Sequence, residues 1–296
     1  SAWQLINPIL AENGGWALFN GTPRGENHFY KLLLRAQSDN KWYSSHLSVK
    51  DTKAITPEEL RVARNELNNE ARFQSEYMCS FKVPIEGAYY GEQINKAYRD
   101  KRIVDTIMVE PTLPVHTAWD LGMDDATTIW FVQIYKNEIR LVNYYENSGE
   151  GLPHYARELH RWAAQKEVAY GKHYAPHDIK VRELGTGKSR LEIARSMGLK
   201  FTTVKKIPII DGIEAVRVLL HKCWFARNDC YQGIEALKGY HKEFDSSKGV
   251  FRKVPVHDAN SHGADAFRTL AVGLKQPSLD KNKKQQFQYE VSNVNW

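Results

Sequence analysis

Between Val115 and Tyr145 three runs rich in β-branched and aromatic residues succeed one another closely: Val115–Leu121, Ala126–Tyr135 and Ile139–Tyr145. Gly122 comes directly after the first run, and Lys136-Asn137 provides a tight turn between the second and third. Strand-forming segments spaced this closely pair as an antiparallel meander. Beyond Tyr145 the pattern changes character. Leu152 to about Lys166 has helical periodicity, Lys172–Ala175 reads as a short strand ending in Pro176-His177-Asp178, and Ser189–Met197 reads as a helix. Phe201–Val204 is a strand, Ile213–Cys223 and Tyr231–His241 are helices, Phe251–Val254 sits near a hairpin, and Ser261–Leu274 is the last helix. A meander succeeded by alternating helices and strands excludes an all-helical bundle and an all-β sandwich.

That element order is the order of an RNase H-like domain, a mixed central sheet flanked by helices. Upstream, Ser1–Gly14 reads as a helix, Gly15–Phe19 as a buried strand, and Asn20–Gly25 as a turn-rich loop. Asn27 can cap a helix from His28 to about Ala36, and Lys41–Val49 looks like a strand. Thr56 caps a helix from Pro57 to about Glu70, with Glu59 in capping-box position. This first part is short for a complete α/β unit. The expected organisation is an incomplete α/β segment at 1–84, a connector at 85–105 containing a charged surface segment at Ala97–Arg102, the RNase H-like domain at 106–275, and a flexible tail at 276–296.

Three aspartates stand where such a fold can gather them. Asp120 closes the first meander strand, Asp178 ends a later short strand, and Asp265 lies near the start of the last helix, off its apolar stripe. Each alone is compatible with a turn or helix-end acid. Together they suit hard divalent cations, which take oxygen ligands from a few carboxylates. Two such ions can activate a water and stabilise the leaving oxygen of a phosphodiester. Asp124 and Asp125 could add a ligand, or could only shape the turn. Lys180, Arg182, Lys188 and Arg190, and further on Lys248, Arg252 and Lys253, could meet phosphates beside the acids or simply form solvated faces. The net charge of +6 leans the same way. Gly185-Thr186-Gly187-Lys188-Ser189 mimics the end of a nucleotide-binding loop, but Arg182 stands where that loop needs a small residue. Cys79, Cys223 and Cys230 are too few and too far apart for a disulfide framework or a zinc site. No apolar run has the length of a membrane span.

Several stretches resemble the large terminase subunits of tailed phages. Gly21-Thr22-Pro23-Arg24-Gly25-Glu26-Asn27-His28-Phe29-Tyr30 is similar to the stretch that couples ATP hydrolysis to DNA movement. Trp119-Asp120-Leu121-Gly122, Pro176-His177-Asp178 and Ser261-His262-Gly263-Ala264-Asp265-Ala266-Phe267-Arg268 resemble the three acid motifs of the nuclease domain. Ser80-Phe81 and Ile85–Tyr90 look like the connector between motor and nuclease. The resemblance covers roughly 3–275.

It implies a metal-dependent endonuclease that cuts concatemeric double-stranded DNA, with Asp120, Asp178 and Asp265 as ligands of two Mg²⁺ or Mn²⁺ ions and Thr22 in the coupling loop. It also implies a portal protein, a small terminase subunit and a procapsid as partners, no membrane, a monomer in solution and a ring on the portal. The place of action would be the host bacterial cytoplasm, outside the mature virion. The family's phosphate-binding loop and Mg²⁺-holding acid pair do not occur here. The chain is therefore expected to be a fragment without ATPase activity, ATP belonging to the intact parent. A resolvase or transposase-type nuclease would share the acids without explaining the coupling stretch. A docking module with vestigial acids would lack metal-dependent cleavage, and a nucleotide-binding ATPase is disfavoured by Arg182.

Overall fold

A computed structural model describes residues 2–25, 28–83, 87–122, 126–181, 187–245 and 250–275. The chain divides into two compact units, Ser1–Glu86 and Gly87–Trp296.

The described part of the first unit is helical. It contains α1 (Ala2–Asn13), α2 (His28–Ser38), the single turn α3 (Val49–Thr52), α4 (Pro57–Leu67) and α5 (Glu70–Glu76). Thr56 forms the expected capping box with Glu59 on α4. The helix ends early because Asn68 takes a left-handed conformation, and Asn69 caps α5 anew. A small core forms where Phe81 meets Phe29, Tyr30 and His46, with Phe73 buried nearby in sequence on α5. The two strands expected here, Gly15–Phe19 and Lys41–Val49, do not form. Trp16, Leu18, Tyr43 and Leu47 are exposed, and the rings of Phe19 and Trp42 stack between the two runs. Apolar alternation signals a strand only where another strand is present to pair with it.

The second unit holds a seven-stranded mixed sheet. Its elements run α6 (Gly91–Arg99), β1 (Ile103–Val104), β2 (Val115–Asp120), β3 (Thr127–Tyr135), β4 (Glu138–Asn147), α7 (Leu152–Lys166), β5 (Tyr170–Ala175), a 3-10 turn at His177–Lys180, α8 (Arg190–Ser196), β6 (Phe201–Thr203), α9 (Ile209–Leu220), β7 (Cys223–Ala226), α10 (Arg227–Gly239), a separate hairpin of β8 (Lys242–Asp245) and β9 (Val250–Pro255), and α11 (Ala259–Lys275). The sheet order is β1-β7-β4-β3-β2-β5-β6. β2, β3 and β4 pair antiparallel, while β5 runs parallel to β2 and β6 parallel to β5. This is the RNase H-like order, with β7 and β1 added in parallel beyond β4.

Alternation along the strands fills two cores. Ala118, Trp130, Leu141 and Tyr144 join α6, α9, α10 and α11 on one face. Val115, Trp119, Ile129, Phe131 and Val142 join α7 and α8 on the other. Two features depart from expectation. The stretch Ala97–Arg102 is a charged surface segment only in its middle: Arg99, Asp100 and Lys101 are exposed, but Ala97 is buried on α6, and the guanidinium of buried Arg102 donates to the carbonyls of Leu220 and Cys223 at 2.9 and 2.7 Å. It thereby gives a partner to the carbonyl of Leu220, the last residue of α9. Cys223, expected at the end of a helix, instead opens strand β7, because so short a buried apolar run carries no periodicity of its own. Cys223 and Cys230 are buried free thiols.

Inside the strands leading to the acids lies a buried histidine, His173. Trp119 Nε1 donates to Thr117 Oγ1 at 2.7 Å, and Thr117 Oγ1 lies 2.6 Å from His173 Nδ1. The threonine oxygen accepts from the indole and, having a second lone pair and its own proton, can either accept from or donate to the imidazole. Burial, helped by nearby His116, pushes His173 down to about 4. The folded state therefore binds this proton less readily than the unfolded chain. Its stabilising effect is complete above about pH 6.5 and is lost as pH falls towards 4. Urea unfolding of wild type should lose on the order of 3 kcal/mol through this group over that interval. His173→Phe should show a shallower decline, and equal pH slopes for the two proteins would assign the acid sensitivity elsewhere.

Candidate active site

The carboxyl ends of β2, β4, β5 and β6 share one edge of the sheet, since these strands run parallel to one another. Asp120 is the last residue of β2 and lies on the face that also carries Ala118, the face covered by α11. α11 begins two residues earlier than its periodicity indicates because Asp258 accepts from the amides of Asn260 and Ser261. Asp265 consequently sits in the second turn rather than the first, facing the sheet with its side chain 29% exposed.

The structure brings Asp120 and Asp265 together. His262 Nδ1, one turn before Asp265, lies 3.4 Å from Asp120 Oδ2. Arg268, one turn after, donates to Asp265 Oδ1 at 3.0 Å, and the Tyr240 hydroxyl approaches the same oxygen at 3.5 Å. Burial pushes the Asp265 carboxyl up to about 6. The Arg268 guanidinium opposes that shift and the negative charge of Asp120 adds to it. Two carboxylates thus converge in a partly desolvated place with incomplete compensation by positive charge.

Asp178 reaches the same edge by a different route. Ala118 pairs with Tyr174, so Pro176 comes after β5 level with Asp120, and Asp178 stands exposed in the 3-10 turn just beyond. Among the described residues, no three His, Cys, Asp or Glu side chains gather closely enough to hold a metal ion. Asp120, Asp265 and His262 do supply the donor types a divalent cation accepts, carboxylate oxygens with an imidazole nearby, and Arg268 offsets only part of the negative charge. Asp124, Asp125, Arg182 and Lys248 lie outside the described residues.

The basic residues divide. Lys180 and Lys188 are exposed beside the Asp178 turn and at the start of α8. Arg190 does not simply face solvent: it donates to the Leu121 carbonyl at 3.1 Å and so holds the chain directly after Asp120. Arg252 pairs with Glu243 across the hairpin at 3.2 Å, and Lys253 is exposed on β9. The nucleotide-loop mimic ends in a helix cap, Ser189 forming a capping box with Glu192. In the first unit Thr22 is exposed, and the neighbouring Pro23 carbonyl accepts from Ser75 on α5.

Two residues of this edge escape a reading of the sequence. His262 was hidden in plain spacing, one helical turn from Asp265. Glu146 could be found only from register: Thr128 on β3 opposes Asp120 on one side and Glu146 on the other, placing all three side chains in a row on one face. The Tyr144 hydroxyl donates to Glu146 at 2.7 Å. Burial, and after it the charge of Glu146, drives that phenol well above its ordinary range, and Asp120 contributes as well.

No protein-family model matches the chain. Among curated proteins, the terminase large subunit of Escherichia phage T5 is 23% identical over 285 residues, which span 89% of this chain and 59% of that protein. The chain resembles phage terminase large subunits. It covers about three fifths of that relative's length. Solved structures with a related course include the large terminase of a thermophilic bacteriophage, 18% identical, with a TM-score of 0.49 over 91% of this chain and 66% of that one. The P22 large terminase nuclease domain is 17% identical, with a TM-score of 0.43 over 59% of this chain and 89% of that one. The nuclease of thermophilic phage G20c with bound magnesium is 14% identical, with a TM-score of 0.43 over 65% and 99%.

Removing one charge from the converging acids should relieve repulsion when no cation is present. In EDTA, Asp265→Asn should melt at the same temperature as wild type or higher. A clear drop in midpoint would mean that the Arg268 ion pair outweighs the cost of desolvation.

Proposed function

We propose that this chain is the nuclease-bearing part of a phage terminase large subunit, a metal-dependent endonuclease that cuts concatemeric double-stranded DNA during genome packaging. The observation that carries the reading is the convergence of Asp120 and Asp265, from a strand end and a helix, at the edge where Asp178 also stands. A resolvase-type nuclease would share this geometry. The terminase reading is favoured by a sequence likeness that runs through both units, over 89% of the chain.

Asp120, Asp178 and Asp265 would hold two divalent ions, Mg²⁺ or Mn²⁺, with Asp124 and Asp125 as further candidates. When bound, such ions supply charge compensation, an activated water and stabilisation of the leaving oxygen. The chain's own groups do the rest. Arg268 and Tyr240 orient the Asp265 carboxylate towards Asp120. Arg190 fixes the backbone after Asp120. His262 stands where it can hold or pass a proton beside Asp120. Lys180 and Lys188 would meet phosphates on the approach to the acids, with Lys253 on the hairpin. The portal protein, small terminase subunit and procapsid would be the partners of the whole packaging protein, acting in the host cytoplasm. No helix among the described residues is long and apolar enough to cross a membrane.

Plasmid DNA incubated with the chain should be nicked and linearised in Mg²⁺ or Mn²⁺ and left intact in EDTA. Asp120→Asn, Asp178→Asn and Asp265→Asn should each lose most of that cleavage. Cutting that survives EDTA would dispose of the two-ion mechanism. A single variant that stays fully active would remove its residue from the ligand set.

DNA binding should weaken steeply with salt. Replacing Lys180 and Lys188 together with Gln should reduce the slope of log K against log salt by about 2, roughly one for each phosphate that no longer meets a lysine. An unaltered slope would place both lysines on a merely solvated face.

A further inference from the structure

The metal-dependent reading leaves open what keeps Asp265 and His262 at the right distance from Asp120. Asp120 belongs to the sheet, and the other two belong to α11. Covalent continuity between these elements runs through well over a hundred residues, so their spacing has to be set by contacts. Thr128 makes the most direct one. It opposes Asp120 in the β2–β3 ladder, and its fully buried side chain donates to the His262 carbonyl at 2.9 Å. Next along the same face, Trp130 Nε1 donates to the Gly263 carbonyl at 2.9 Å. The helix comes this close because residue 263 is glycine. A Cβ there would stand 2.7 Å from Ala236 Cβ and 2.8 Å from the Tyr144 hydroxyl.

We propose that Thr128 is a positioning residue for the nuclease site, its hydroxyl locking the turn that carries His262 and Asp265 to the strand that carries Asp120. The proposal rests on the reading of these acids as cation ligands. Trp130 and Tyr144 also support α11, but both are large core side chains whose loss would damage packing generally. Thr128 differs: valine keeps its shape and removes only the hydroxyl, which donates to His262 and also meets the Tyr144 phenol. A carbonyl has two lone pairs, so His262 loses one bond while the helix persists. Loosening the turn would let Asp265 drift from Asp120, which weakens cation binding first and turnover at saturating cation much less. Residues that orient metal ligands without touching the metal typically change its affinity by about 10–100-fold when removed.

The test compares wild type, Thr128→Val and Thr128→Ser. Mn²⁺ binding is followed by electron paramagnetic resonance, which needs no DNA, and plasmid cleavage is followed as a function of Mn²⁺. Thr128→Val should bind Mn²⁺ about tenfold more weakly and need correspondingly more for half-maximal cleavage. Its rate at saturating Mn²⁺ should stay near wild type, and its melting point in EDTA should fall by only a few degrees. Thr128→Ser, which keeps the donor, should restore the affinity. If the valine variant does not fold, Thr128→Ala replaces it with the same expectation. An unshifted Mn²⁺ curve in a folded Val or Ala variant overturns the proposal, as does a serine variant as weak as valine. A wild type that binds Mn²⁺ through Asp120 yet leaves DNA intact would refute the nuclease reading while leaving the Thr128 shift measurable.

Discussion

The seating of α11 on the sheet is the contact on which the site depends. Nothing in the chain makes a carboxylate on β2 and another on α11 neighbours except the surface between those elements. That surface is unusually close. Gly233 on α10 lies under the Trp130 ring, where a Cβ would come within 2.4 Å of it, and Gly263 leaves room for Tyr144 and Ala236. Around these gaps Trp130 stacks edge-on with Phe267 and Phe225, so the helix packs against aromatic rings that have nowhere to move. Two side-chain donors from β3 then add direction to what apolar packing alone would leave free to slide.

The same surface explains why like charges are tolerated here. Separating Asp265 from Asp120 would require lifting the helix, and lifting the helix would expose Phe267, Leu270 and Ala271, all fully buried. Burying side chains of the Leu and Phe type contributes about 1.5–3 kcal/mol each. A partly desolvated acid whose carboxyl is pushed up to about 6 costs a few kcal/mol at neutral pH. The packing therefore wins, and the unfavourable pair is held in place at the expense of local stability, as functional sites commonly are.

Much of the second unit was readable because its strands are short β-branched and aromatic runs closed by turn residues and its helices announce their ends. β2, β3 and β4 are rich in β-branched and aromatic residues, the 152–166 helix has an apolar stripe, and Asp120 falls on the side of the pleat that faces α11. Asp265 was readable as a candidate but not as a half-buried one, since the cap that starts α11 at Ala259 lies in a His-Asp pair with no apolar pattern. Glu146 and Thr128 act through register, which one strand's residues do not encode by themselves. Arg190 looked like a phosphate contact because charge is visible in a sequence and a carbonyl partner 69 residues away is not. In the first unit the failure was of another kind: Trp16, Leu18, Tyr43 and Leu47 have strand-forming side chains but no strand beside them.

The two ends of the seven-stranded sheet are stubs, β1 with two residues and β6 with three. An open β-edge is a template on which a second chain can add a strand, and long flat edges make proteins polymerise. Here an incoming strand would find only two or three residues of ladder on either side before the chain turns away into helix or loop. The outermost strands of this sheet thus give a neighbouring copy little ladder to extend, and the longer strand at an edge, β9 with six residues, belongs to the separate hairpin.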